Sequence, residues 1–243
     1  MLKNMIAILE TMANSPSVLS ISELSHITGF SRSAVHRCLT TLSDEGVVVL
    51  DKTNGGYVAT SKLFTLGLRL LGKIDLYDAA MPVLRKIAQE TNETASLTIR
   101  DNMERICIAR VEGTYRIIVR NIQVGQKAPL VVGAAGKIIL AQLSDDEIEN
   151  IIQYNIECCN YPPESKPSLL ADVEKIRKQG FAISIEERET GCASISVVIR
   201  SVTLTSHASI SISTLTSRFG EQEQQKYSQL LIAEAEKLAF NLK

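Results

Sequence analysis

The sequence predicts an α+β chain in two unlike parts, and three observations predict it. Short amphipathic helical patterns punctuated by Ser and Gly run through residues 2–45. An Asn-Gly turn between two β-rich runs follows directly. From Glu93 onward, strand-like alternation returns again and again between helical segments. At 243 residues the chain is long enough to bury two modest cores.

The elements follow in order. Met5, Ile6, Ile8, Leu9 and Met12 give a helical pattern from Leu2 to about Asn14, interrupted by Ser15-Pro16-Ser17. Ser22 is the expected N-cap of a short helix, Glu23–Thr28, which Gly29 stops. Ser31 caps the next helix, expected to run to about Asp44 and to end at Gly46. VVVLDKTNGGYVAT then reads as a β-hairpin, because Asn-Gly supplies the backbone a tight turn needs. Helix, helix, turn, helix, hairpin is the order of a winged helix-turn-helix, expected over residues 1–61.

Residues 61–91 carry Leu63, Leu66, Leu70 and Leu71 at helical spacing, and Pro82 is expected to divide them and start a new helix over Met81–Gln89. This places a linker helix at 62–78, suited to pairing with its copy in a dimer, and a second domain at 79–243. There ETASLTIR, ERICIARVEG and YRIIVRNIQV alternate as strands. GAAGKIILAQL returns to helix from Gly133 to about Leu143, and Ser144 with Glu147 has capping-box spacing. YPPESKP is a loop, and SLLADVEKIRKQG a helix closed by Gly180. The strands FAISIE, ASISVVIRS and HASISIS and a long amphipathic helix complete the chain.

Composition, 45% hydrophobic and 22% charged, is that of an ordinary globular protein. No apolar run approaches the ~18 residues a membrane helix needs, and the N-terminus lacks a basic-then-apolar leader. A cytoplasmic protein without membrane partner is expected. Five cysteines (38, 107, 158, 159 and 192) form no CxxC pair, so reduced thiols are the default. The net charge of −1 gives no hint of nucleic acid. Any binding of DNA must rest on a few placed charges.

Those charges lie on the second short helix. On a 3.6-residue wheel Val35, Cys38, Leu39 and Leu42 share one face, while Ser33, His36, Arg37, Thr40 and Asp44 fall opposite. Ser31 and Arg32 sit at its start, where a recognition helix meets phosphates, and Lys52 lies in the wing. Arg suits guanine in the major groove; Ser and Thr suit phosphates. Most helices have a solvated face, but one this poor in Glu and Lys, with a hairpin behind it, favours reading double-stranded DNA.

ISELSHITGFSRSAVHRCLTTLSDEGVV, a Gly-Gly wing and YVATSKLFTLG together resemble the DNA-binding domain of the IclR family of bacterial transcriptional regulators. The family's Leu-Ser-x-x-Glu-Leu helix corresponds to Leu19–Leu24, and its Ser-x-x-x-(His/Tyr)-Arg-x-Leu-x-x-Leu helix to the stretch from Ser31 or Ser33 through Val35, His36, Arg37 and Leu39 to Leu42. GQKAPLVVGAAGKIILAQL is similar to a second family motif, so the likeness spans nearly the whole chain. It implies a homodimer or tetramer that binds operator DNA through the winged helix, as a repressor by expectation. It also implies a GAF- or profilin-like effector domain with a mixed sheet and flanking helices, taking a small metabolite that in many members bears a carboxylate. No cofactor is implied and no enzymatic activity.

The family's effector-facing elements fall on Gly133 and Ala134, on Ser184 where an acidic residue is common, on Ser194 where Cys is common, and on Ser211 and Ser213. Small residues at a helix start let backbone N–H groups approach a carboxylate. Ser211 and Ser213 share a strand face at period two, as the wet side of a half-exposed strand also would. Serines at 184 and 194 point to a ligand different from those of acid-and-thiol members. Two rival readings are weaker. A metal sensor needs gathered thiols and imidazoles, whereas Cys158-Cys159 are adjacent and His207 stands alone. A hydrolase needs a base beside Cys192, and no His lies near it in sequence.

Overall fold

The computed structural model describes residues 1–70, 74–115, 123–202, 204 and 207–242, and the chain divides between Ile74 and Asp75. In the first unit, helix α1 (Leu2–Asn14) buries Met5 and Ile8, α2 (Ile21–Thr28) buries Leu24, and α3 (Arg32–Asp44) buries Val35, Cys38, Leu39 and Leu42. These close one apolar cluster with Leu19 and Val48. The N-cap of α2 is Ser20, not the expected Ser22. A capping box needs a carboxylate three residues on: Glu23 accepts from the Ser20 N–H (2.8 Å) and hydroxyl (2.7 Å), whereas Ser22 is followed by Ser25. Those bonds from Ser20 hold the Glu23 carboxyl below its ordinary range. Gly29 ends α2 in the left-handed conformation, φ 73°.

Strands β1 (Val48–Asp51) and β2 (Gly56–Ala59) pair antiparallel as the hairpin. Asp51 organises its tip by accepting from the N–H groups of Thr53 (2.9 Å) and Asn54 (3.3 Å). The Tyr57 N–H donates to the Leu19 carbonyl (3.2 Å), which ties the hairpin to the segment before α2. Helix α4 (Ser61–Leu70) follows, with Leu66 and Leu70 exposed.

The second unit begins on α5, which runs unbroken from Ile74 to Thr91. Pro82 lies inside it rather than starting a helix. Pro82 is exposed, so the carbonyl it leaves unbonded faces water, while Leu76, Ala80, Leu84, Ile87 and Ala88 anchor the opposite side. Strands β3 (Thr94–Asp101), β4 (Glu104–Val111) and β5 (Lys127–Pro129) precede helices α6 (Ala134–Leu140), α7 (Asp145–Cys158) and α8 (Lys166–Gln179). Then come β6 (Ala182–Ile185), β7 (Cys192–Ile199), β8 (Ala208–Leu215) and α9 (Glu221–Asn241). The expected strand YRIIVRNIQV falls largely on 116–122, outside the described residues, as do Leu71 and Lys243.

The sheet order is β5-β4-β3-β8-β7-β6, and every described pairing is antiparallel, where a mixed sheet was expected. Most neighbours are consecutive strands joined by connections too short for the crossover that parallel pairing requires. One face carries Ala95, Leu97, Ile99, Ile195, Val197, Ile210 and Ile212 into a core shared with α5 and α9. Each of these Leu, Ile and Val side chains contributes about 1.5–3 kcal/mol if fully buried. A second core lies among α6, α7 and α8. Gly136 permits the close approach of α6 to the segment before it: a Cβ there would stand 2.6 Å from the Leu130 carbonyl oxygen.

One ion pair fastens the end of the sheet where β3 begins and β8 finishes. Glu93, fully buried, accepts from Arg218 Nε (2.7 Å) and Nη2 (2.9 Å) and from the Thr214 hydroxyl (2.7 Å). The Arg218 guanidinium lies 4.4 Å from the Tyr115 ring centre.

Candidate functional site

The outward face of α3 displays Ser31, Arg32, Ser33, His36, Arg37 and Thr40, all exposed, over the buried Val35, Cys38, Leu39 and Leu42. The Ser31 hydroxyl accepts from the Ala34 N–H (3.3 Å) and lies 3.1 Å from the Ser33 hydroxyl, so the helix start is both capped and polar. Among the described residues the side chains of Arg32, His36 and Arg37 make no hydrogen bond or ion pair. Their donors are free for a partner outside the chain. Thr40 differs: its hydroxyl donates to the His36 carbonyl (3.0 Å), leaving only lone pairs to offer. It therefore suits an amino group on a base edge better than a phosphate, which only accepts. Lys52 is exposed in the hairpin loop that Asp51 organises. Lys62, by contrast, is held near Glu45 (3.7 Å).

Gly133, Ala134, Ser184, Ser194, Ser211 and Ser213, drawn from four separate segments, line one cavity in the second unit. Its volume is about 30 Å³, room for two or three waters at ~10–15 Å³ each. The serines of β8 are not a wet strand face. Ser209, Ser211 and Ser213 are all at most 2% exposed. Ser211 donates to Ser196 (2.8 Å), while the Ser213 hydroxyl has no partner among the described residues. An unpaired buried hydroxyl costs roughly 1–3 kcal/mol, so a partner there is worth having.

Sequence reasoning missed the cavity's charges: Arg105, Glu187, Arg188 and Glu189. Arg105 is 4% exposed, and its guanidinium finds only the carbonyls of Pro129 and Val132, each at 3.3 Å. No carboxylate pairs with it among the described residues. Burial, with the like charge of Arg188 second, pushes it down to about 10. Glu187 accepts from the Gly133 N–H (2.9 Å) and from Lys137 Nζ (2.5 Å), and Asp172 takes a second bond from that lysine (2.7 Å). Gly133 has φ 77°, and a Cβ there would meet Arg105 Nη2 at 3.0 Å and Arg188 Cδ at 3.3 Å. Only glycine fits without displacing both. The signal for Arg105 was present in ERICIARV, where an arginine falls in phase with the buried Cys107.

The rival chemistries gain nothing here. Burial raises the Cys192 thiol, with Glu189 adding to the effect, so the thiolate a nucleophile requires is disfavoured. Among the described residues no group of three His, Cys, Asp or Glu side chains could hold a metal ion, and no helix is long and apolar enough to cross a membrane.

Comparison with known proteins covers both units. The IclR helix-turn-helix domain model matches residues 2–52, and the model described as bacterial transcriptional regulator IclR, C-terminal, matches residues 68–240. The chain is 30% identical to the HTH-type transcriptional regulator KdgR of Escherichia coli over 92% of its length and 86% of that protein's. It is 28% identical to the HTH-type transcriptional regulator XynR of the same organism, over 92% and 89%. The crystal structure of Thermotoga maritima IclR superposes with a TM-score of 0.78 at 29% identity, covering 99% of this chain and 98% of that one.

Proposed function

The chain belongs to the IclR family of bacterial transcriptional regulators, and from that premise we propose how its two units share the work. It is a DNA-binding regulator whose operator binding is modulated by a small molecule, not an enzyme. Helix α3 enters the major groove, with Arg37 and His36 at base edges, Thr40 accepting there, and Ser31, Arg32 and Ser33 at phosphates. Lys52 follows the backbone from the wing. The observation that carries this reading is the set of three unpartnered donors, Arg32, His36 and Arg37, on a capped helix whose other face is core.

The protein acts in the cytoplasm as a homodimer or tetramer, pairing through the region of residues 62–78; the exposed Leu66 and Leu70 support this. Its symmetric operator then has half-sites about 34–36 Å apart, or a multiple of that, and its output is repression. The effector is a small anion seated against Gly133 and Ala134, with Ser184, Ser194, Ser211 and Ser213 around it and Arg105 supplying charge. It alters operator affinity only by favouring one arrangement of the oligomer over another. Ala134→Phe should fill the cavity. Operator affinity of that variant is to be measured with and without the acid giving the largest thermal shift in a panel of small carboxylates. Loss of the ligand's effect, with ligand-free binding nearly intact, is expected. An undiminished response places the pocket elsewhere.

A further inference from the structure

We propose that the Glu187 carboxylate is a tethered stand-in for the effector's own carboxylate, and that a small hydroxy-carboxylate binds by taking its place. This rests on the reading above that the cavity is the effector site. Four observations carry it. The cavity, about 30 Å³, leaves little more than room for two or three waters while Glu187 lines it. Of its two arginines, Arg188 feels the charge of Glu189, but Arg105 is buried with no acidic partner among the described residues, because Glu187 is committed to Lys137 and the Gly133 N–H. Glu187 belongs to the exposed connection between β6 and β7, where Glu186 adopts φ 58° and Gly191 φ 79°, so leaving its seat disturbs no core side chain. Lys137 keeps Asp172 (2.7 Å) when Glu187 departs.

The hydroxyl requirement comes from the opposite wall. The Ser213 hydroxyl, 2% exposed and unpartnered, lines the cavity beside Ser194 and Ser211. A ligand with a carboxylate at one end and a hydroxyl at the other meets Arg105 and Ser213 together; a plain carboxylate meets only the first.

A tethered competitor lowers apparent affinity by the fraction of time it holds the seat. The test uses glycolate and acetate as probes on the full chain, by isothermal titration at fixed ionic strength, for the unmodified protein, Glu187→Gln, Glu187→Ala and the cavity-filled Ala134→Phe. Glycolate should bind at least tenfold more tightly to one or both Glu187 variants than to the unmodified protein, more tightly than acetate throughout, and not at all to Ala134→Phe. In the unmodified protein, glycolate should speed hydrogen exchange in residues 186–191 while slowing it in 134–140, a pattern a purely structural Glu187 would not give. Equal or weaker glycolate binding by both Glu187 variants, with Ala134→Phe still inactive, overturns the exchange and leaves the pocket standing. Glycolate binding that survives Ala134→Phe overturns the pocket itself. Absence of binding in every variant removes hydroxy-carboxylates as the ligand class, and the proposal with them.

Discussion

The outer face of α3 and the inner face of the second unit's sheet are both rich in polar groups, yet they obey different physics. On α3, Arg32, His36 and Arg37 stand in water, where an unpaired donor costs nothing and the helix is held by the apolar residues beneath. Inside the second unit, the hydroxyls of Ser96, Thr98, Ser209 and Ser213 are buried without partners among the described residues, and Arg105 is buried with two long bonds to carbonyls. Polarity at the surface can be tuned for recognition without touching stability. Polarity in the interior trades stability for a ligand site, or must be matched by partners brought from far along the chain.

The largest test of that contrast is the matched interior pair. Arg218→Ala leaves the Glu93 carboxylate buried and should cost about 3–5 kcal/mol. Urea unfolding followed by a probe in the second unit measures it; a loss below about 1 kcal/mol would mean the pair is not what secures this end of the sheet. Next comes the surface. Arg37→Ala should cost roughly 1–3 kcal/mol of specific operator binding while leaving the unfolding midpoint unchanged. Footprinting titration with unaltered operator affinity would remove Arg37 from the base contacts, and a shifted midpoint would break the contrast itself.

The unmatched interior charge should behave oppositely to the pair. Arg105→Met removes a desolvated guanidinium, so stability should hold or rise by about 1 kcal/mol while glycolate binding vanishes. A clear loss of stability would show Arg105 to be a strut for the Pro129–Val132 segment. Ser20→Ala removes one half of the α2 capping box and should cost about 1 kcal/mol, read in thermal unfolding of the first unit. Ser22→Ala, the alternative cap, should do almost nothing. The smallest effect is expected from Lys52→Ala: operator and unrelated DNA weakened alike, with the slope of log affinity against log salt reduced by about 1. Selective loss on the operator alone would promote Lys52 to a reader of sequence.

What the sequence determined by itself is what acts over one or two helical turns. The apolar stripe of α3, its Ser31 cap, the Gly29 stop, the Asn-Gly hairpin and the Ser144–Glu147 capping box all depend on residues three to seven apart, so their geometry is set by the period of the backbone. The same local logic misled at Ser22, where the capping carboxylate three residues on belongs to Ser20, and at Pro82, where burial on the far side of α5 overrode a helix-breaking residue. Local motifs also named six of the cavity's neutral residues, through their likeness to a family. Its charges were decided by tertiary structure alone. Arg105 meets Val132 across 27 positions, Glu187 meets Gly133 across 54, and Arg218 meets Glu93 across 125. Whether an arginine on a strand is a solvated edge or a buried, unmatched charge depends on which segments cover it, and no local period encodes that.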